Sequence, residues 1–164
     1  IGGLGHLALQ FARAWGCEVT AFSSNPAKEA EVRQMGAHHV INSRDPRAIK
    51  KALATLDMVL VTVNVSLEWN SYLNALRPGG ILHFVGAAPS LEFHPFQLIG
   101  GRKSISGSPL GSPATAADML RFCARHHIAP VTEHFPMSRI NEAFEHLESG
   151  LARYRIVLDS DFNN

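Results

Sequence analysis

The apolar positions near the start of the chain recur at the spacing of a helix. They are Leu4, Leu7, Ala8, Phe11, Ala12 and Trp15, and Gly16 predicts the end of the helix. Farther along, apolar and β-branched runs predict strands at 18–22, 39–42, 58–63, 81–85, 103–106 and 155–158. The run at 58–63 is so continuously apolar that we expect its strand to be buried on both faces.

Capping residues and glycines mark the ends of the remaining helices. Asn25 and Ser112, each followed by proline, predict helix starts, and Gly36 and Gly150 predict helix ends. The expected helices cover 26–35, 47–55, 66–76, 113–126 and 140–149. Strands that alternate with helices of this length indicate an α/β protein with a Rossmann-type doubly wound parallel sheet. We expect a single domain that spans residues 1–164.

Composition narrows the possible classes of protein. The 164 residues are 46% hydrophobic with a formal net charge of +1, and no apolar run reaches the ~18–20 residues of a spanning helix. No signal peptide is recognisable at the start, and no broad basic face for nucleic acid is expected. Cys17 and Cys123 are lone cysteines in apolar stretches, typical of reduced thiols in a cytoplasmic protein.

The nine histidines invite a metal interpretation because they include the pairs His38-His39 and His126-His127. Adjacent residues point to different faces of a helix or strand, so such pairs rarely chelate one ion. The two cysteines have no C-x-x-C spacing either. We therefore expect this chain to hold no metal.

A glycine-rich turn opens the chain, with the sequence Ile1-Gly2-Gly3-Leu4-Gly5-His6. With one glycine ahead of Ile1 it would read G-x-G-x-x-G, in which glycines let the backbone approach a pyrophosphate and a helix N-terminus meets the anion. A turn that serves packing alone remains the alternative, and His6 is expected to pack or cap. The strand that precedes such a turn is not within the chain, so we expect the sheet to lack its first strand.

The end of the second strand indicates which dinucleotide would bind. An NAD site places an acidic residue there for the ribose, whereas this chain has Ser23, Ser24 and then Lys28. Hydroxyls and a cation suit a 2′-phosphate, which a carboxylate would repel. The pattern favours NADP(H). A simple polar turn with a solvated lysine remains the alternative.

Several segments resemble one family in order and spacing over nearly the whole chain. They are GGLGH at 2–6, MGA at 35–37 with Val40, TVNV at 62–65, ALRPGG at 75–80, LHFVG at 82–86, SGS at 106–108 and RYRIVL at 153–158. The sequence resembles the cofactor-binding, C-terminal Rossmann domain of zinc-dependent medium-chain alcohol dehydrogenases, in their cinnamyl-alcohol-dehydrogenase-like branch.

The resemblance implies a role for each matching residue. Gly2, Gly3, Leu4 and Gly5 would contact the pyrophosphate, and Ser23, Ser24 and Lys28 the 2′-phosphate. Thr62 and Val63 would pass beside the cofactor, and Val85 and Gly86 would meet the nicotinamide through their backbone. Ser106 and Ser108 would lie near its carboxamide, and Arg155 would reach a phosphate. The alternative for Arg155 is a strand-end arginine in solvent.

The resemblance also implies the reaction, which is hydride transfer between the nicotinamide and a primary alcohol or aldehyde. The family's zinc is held by residues of a separate domain and of the segment before the glycine turn. This chain has none of those positions, so we expect it to be inactive as a dehydrogenase by itself. The family's dimers pair strands where this chain has the segment from Lys103 to Pro109, so we expect a homodimer, with Leu110 near the partner's substrate pocket.

Two other classes of protein remain open. An S-adenosylmethionine-dependent methyltransferase also has a glycine turn after its first strand, but it normally carries an acid where this chain has Ser23 and Ser24. A non-catalytic nucleotide-binding module is the second alternative.

Overall fold

A computed structural model describes residues 1–162 and contains seven α-helices, seven strands and two short 3-10 helices, Pro26–Lys28 and Met137–Arg139, within that range. The boundary expected at Asn164 lies outside the described residues. The elements, in chain order, are α1 (Gly5–Ala14), β1 (Thr20–Ser23), α2 (Glu29–Gln34), β2 (His39–Asn42), α3 (Pro46–Lys50), β3 (Leu56–Val61), α4 (Trp69–Ala75), β4 (Leu76–Phe84), α5 (Phe96–Ile99), β5 (Ser104–Gly107), α6 (Pro113–His126), β6 (Thr132–Pro136), α7 (Ile140–Glu148) and β7 (Arg155–Asp159). The expected α/β class is confirmed.

All strand pairs are parallel, as expected, but they form three sheets rather than one. β1 pairs with β2, β3 with β4, β4 with β5, and β6 with β7. Within residues 1–162 no strand is hydrogen-bonded between β1 and β3. Side chains connect these two sheets instead. Phe22 of β1 contacts Tyr72 edge to face, with ring centroids 5.2 Å apart, and Tyr72 lies on α4, which packs on the three-stranded sheet.

Two apolar clusters form the core. The larger lies between the three-stranded sheet and helices α3 and α4, and it contains Ile49, Val59, Val61, Trp69, Tyr72, Leu73, Leu76 and Leu82. The smaller lies between β1 and helices α1 and α2, and it contains Leu9, Val19, Ala21, Val32 and Ala37. The carboxyl ends of the parallel strands, where ligands bind in such folds, are thus supported by packed helices.

The expectation that strand 58–63 is buried on both faces is wrong. Val59 and Val61 are buried, but Met58 is 52% and Leu60 is 41% exposed. Side chains alternate between the faces of a strand, and α3 and α4 pack on the face that carries the two valines. Apolar sequence alone does not reveal whether the second face is covered.

Other boundaries also differ from expectation. The helix expected at 47–55 ends at Lys50, because the following residues turn and Ala54 has a φ of 53°. The helix expected from residue 66 begins at Trp69, and the turn 77–80 that should follow it is an irregularity within β4. Strand β6 was not expected. It pairs with β7 along its whole length.

The predicted helix ends are more accurate. The side chains of Asn25 and Ser112 accept hydrogen bonds from the backbone N–H groups of Ala27 and Thr115, as capping residues do. The expected glycines after α1, α2 and α7 all have positive φ.

The two cysteines are free thiols in different surroundings. Cys123 is half-buried, while Cys17, three residues after α1, is exposed to solvent. Over residues 1–162, none of the helices combines the length and apolar character needed to cross a membrane.

Candidate cofactor site

The glycine turn leads directly into α1, whose first turn has no side-chain cap. Leu4 occupies the N-cap position, and its apolar side chain cannot accept a hydrogen bond from the first N–H groups of the helix. The positive end of the helix dipole is therefore directed at the turn. A β-carbon added to Gly2 would meet no atom within 4 Å, so the turn is open there. An anionic group such as a pyrophosphate fits an open, uncapped helix N-terminus.

A cation lies on the same turn. The guanidinium of Arg155 packs so closely on Gly3 that a β-carbon on this glycine would stand 2.9 Å from Cζ. Arg155 is the first residue of β7 and is exposed. Its charge adds to the positive potential of the helix N-terminus, and both favour a bound phosphate.

The three residues predicted for the 2′-phosphate lie at and just beyond the carboxyl end of β1, and they differ in how exposed their side chains are to a ligand. Ser23 is buried, and its hydroxyl donates to the carbonyl of Asn25 at 3.2 Å and accepts from the N–H of the same residue at 3.3 Å. It thus serves a turn, as the alternative interpretation proposed. Ser24 is exposed, and Lys28 is half-buried. Burial is the main cause that lowers the pKa of Lys28, and the charge of Arg153 adds to it.

His6 ties the glycine turn to the end of the chain. The ring is fully buried, with Nδ1 3.3 Å from the Gly2 carbonyl and Nε2 accepting the N–H of Val131 at 3.2 Å. The carbonyl of Val131 in turn accepts the N–H groups of Tyr154 and Arg155, each at 3.1 Å. This chain of hydrogen bonds fixes the start of β7 beside the glycine turn, in agreement with the expected packing role.

A second group of predicted residues meets at the carboxyl ends of β3 and β4. The N–H groups of Val85 and Gly86 both donate to the Val61 carbonyl, at 3.0 and 2.9 Å. A β-carbon on Gly86 would lie 2.4 Å from the carbonyl oxygen of Val63, so only glycine fits there. The hydroxyl of Thr62 lies 3.3 Å from the position of a β-carbon on Gly5. This contact joins the second group to the glycine turn.

Sequence analysis missed His83, which holds the two serines predicted near the carboxamide. Its Nδ1 lies 2.8 Å from Oγ of Ser106, and its Nε2 lies 2.9 Å from Oγ of Ser108. His83 is the register partner of Ser106 in the β4–β5 pair. Directly paired residues share a face of the sheet, so a predicted pairing of these strands could have found it.

The paired histidines serve packing and hydrogen bonding. His38 accepts the N–H of Val19 at 2.9 Å, and His39 contacts Glu18 at 2.8 Å. His126 packs on Phe122, while His127 ends α6 in the left-handed conformation. In the described part of the chain no three His, Cys, Asp or Glu side chains are grouped to hold a metal ion. The family's zinc does not fit these residues, which group no suitable set of ligands.

Parallel strands with a glycine turn at an uncapped helix N-terminus are typical of a Rossmann-type dinucleotide-binding domain. The family model described as "Zinc-binding dehydrogenase" matches residues 3–125. The chain belongs to that family and corresponds to the cofactor-binding domain of its members. This match favours the dehydrogenase over the methyltransferase alternative.

Known proteins resemble the chain over almost its whole length. It is 53% identical to aldehyde reductase AdhA of Synechocystis sp. over 99% of the chain and 49% of that protein. Cinnamyl alcohol dehydrogenase SbCAD4 of Sorghum bicolor superposes with a TM-score of 0.92 at 37% identity, over 99% of this chain and 48% of the other. The Helicobacter pylori CAD complexed with NADP(H) gives 0.83 at 30% identity, over 96% and 45%. The chain thus spans about half the length of these relatives.

Proposed function

We propose that this chain is an NADP(H)-binding domain that serves hydride transfer between the nicotinamide and a primary alcohol or aldehyde. One observation carries the choice of NADP(H). The carboxyl end of β1 carries Ser23 and Ser24 instead of an acid, and Lys28 follows them. A carboxylate at that strand end would bind the ribose of NAD and repel a 2′-phosphate. Family membership alone leaves the choice between NADP and NAD open.

The residues of this chain would bind and orient the cofactor. The N-terminus of α1 and Arg155 would hold the pyrophosphate, while Ser24 and Lys28 would contact the 2′-phosphate. Ser23 would support their turn from beneath. Val85, Gly86 and the His83–Ser106–Ser108 group would orient the nicotinamide end. When bound, the nicotinamide supplies the hydride acceptor or donor.

The names of two relatives support the proposed substrate class and coenzyme. One relative is an aldehyde reductase, and the Helicobacter pylori protein was solved in complex with NADP(H). The activity of the whole protein is therefore proposed to be that of an NADP-dependent alcohol dehydrogenase. Zinc would be held outside residues 1–162, because these residues group no suitable ligands. Residues 1–164 would act as one cofactor-binding domain, inactive without its partner domain.

Calorimetric titration of the chain with NADPH and with NADH tests the proposal. NADPH should bind clearly tighter, and Lys28→Met should weaken NADPH at least about tenfold, because a charge-assisted contact is lost, and leave NADH unchanged. Lys50→Met, at an exposed lysine of α3, is the matched control and should change neither affinity. Equal affinity of the unmodified chain for the two coenzymes would disprove the NADP(H) assignment. Consumption of NADPH by the chain when an aldehyde is added would contradict its inactivity.

A homodimer through the segment from Lys103 to Pro109 is part of the proposal. Strand β5 ends the three-stranded sheet, and within the described residues it pairs only with β4. Its other edge offers backbone groups to the same strand of a second copy. Leu110 is 98% exposed next to this edge, a position from which it would contact the partner. Sedimentation equilibrium should show a dimer, and a monomer at every concentration would contradict this.

A further inference from the structure

The ring of Tyr154 is held between the glycine turn and Lys28. His6 stacks on it with ring centroids 4.8 Å apart and planes 12° apart. The Lys28 ammonium lies over the ring, 5.1 Å from its centroid. This distance is within the range of a cation–π interaction.

The ammonium of Lys28 has no acidic partner of its own in the described part of the chain. The nearby charges are those of Arg153 and Glu31, which pair with each other at 3.2 Å. Arg153 repels Lys28, and Glu31 already has a cation. The face of the Tyr154 ring, 5.1 Å away, thus supplies a contact to an ammonium that has no acidic partner of its own.

The hydroxyl of Tyr154 does not explain why this residue is here. It is buried and makes no hydrogen bond of ordinary geometry within residues 1–162, although the Glu31 carboxylate lies close enough to interact with it. Burial, together with the Glu31 carboxylate nearby, raises the pKa of Tyr154 to about 12, so the phenol stays neutral at ordinary pH. The ring contacts His6 and Lys28, while the hydroxyl lies near the Glu31 carboxylate.

We propose that Tyr154 is a positioning residue that determines coenzyme specificity, because its ring face fixes Lys28 where the 2′-phosphate of NADP(H) binds. The inference rests on the proposed function and deepens it. His6 anchors the ring, and the N–H of Tyr154 donates to the same Val131 carbonyl that orders Arg155. Tyr154 thus links Arg155, which lies on the glycine turn, to Lys28, which is proposed to contact the 2′-phosphate.

The proposal makes the ratio of NADPH affinity to NADH affinity the decisive measurement. Tyr154→Leu removes the ring and should lower this ratio about tenfold, the size of a partly buried cation–π contact. Tyr154→Phe keeps the ring and should leave the ratio unchanged. In a Lys28→Met background, Tyr154→Leu should no longer alter the ratio. A purely structural role would weaken both coenzymes alike and leave the ratio constant.

A shape-preserving variant covers the case in which Tyr154→Leu does not fold. Incorporation of 3,4,5-trifluorophenylalanine at position 154 keeps the ring but withdraws the negative charge from its face. Compared with Tyr154→Phe, it should lower the NADPH affinity and leave that of NADH unchanged. Full retention of the NADPH preference in the fluorinated variant would overturn the inference alone. An unmodified chain without any preference would overturn the proposed function, and the inference with it.

Discussion

Replacing Gly86 by alanine is expected to lower the free energy of unfolding by about 3 kcal/mol, at the upper end of the cost of overpacking. The added β-carbon would stand 2.4 Å from the Val63 oxygen and 2.8 Å from the carbonyl carbon of Thr62. These are backbone atoms, so no flexible side chain can give way. Moving them apart would strain the hydrogen bonds from Val85 and Gly86 to Val61. Denaturant titration of the variant and the unmodified chain measures the difference.

Gly2→Ala is the matched control, because the same methyl group there meets nothing within 4 Å. Its free energy of unfolding should stay within about 0.5 kcal/mol of that of the unmodified chain. Its NADPH affinity should nevertheless fall, since the methyl group would fill the open side of the turn where the pyrophosphate is proposed to bind. Equal stability of the Gly86 and Gly2 variants would show that the close approach at Gly86 is not a real constraint.

Replacing His6 by alanine is expected to cost about 3 kcal/mol of stability, because it leaves a cavity at a fully buried ring and removes the acceptor of the Val131 N–H. The ring also supports Tyr154, so the start of β7 should loosen with it. His94→Ala, at an exposed histidine, should change stability by less than about 0.5 kcal/mol. Chemical denaturation compares the two variants, and similar losses would contradict the role assigned to His6.

The same histidine should make stability depend on pH. Burial is the main cause that lowers the pKa of His6 below its ordinary value of 6.5, so the unfolded chain takes up a proton more readily than the folded one. Its contribution is fully present above about pH 6.5 and is lost as the pH falls from there towards the lowered folded-state pKa. His6→Gln should therefore lose less stability than the unmodified chain between about pH 7.5 and 5.5. Identical losses would show that His6 does not titrate in this way.

Local signals in the sequence predicted local structure well. Asn25, Ser112 and the glycines after three helices act within a few residues of themselves, so their positions are readable from the chain alone. Whether Met58 and Leu60 are covered depends on distant elements, and the apolar run did not reveal it. Strand β6 was not predicted, because Glu133 and His134 interrupt the apolar pattern of its sequence. Glu133 is stabilised by His146 of α7, at 2.5 Å, a partner that only the fold provides.

The candidate site shows the same division. The glycine turn and the absence of an acid after β1 are sequence patterns, and both could be interpreted before the structure. The contacts of Arg155 with Gly3 and of Tyr154 with His6 join residues from opposite ends of the chain. No spacing rule predicts such pairs, because they depend on how β7 returns to α1. The sequence therefore suggested a phosphate site at the glycine turn, which stays a prediction, but not the contacts that order the residues around it.

The division of the strands into separate sheets has a consequence for cooperativity. Each sheet is a hydrogen-bonded unit, and β1 and β3 are joined through side chains such as Phe22 and Tyr72. Units that share no sheet hydrogen bonds can open separately, as sub-global unfolding does in many proteins. The residues proposed for the 2′-phosphate follow β1, Arg155 begins β7, and the residues proposed for the nicotinamide lie on the three-stranded unit. A bound dinucleotide would bridge these boundaries and make the units unfold together.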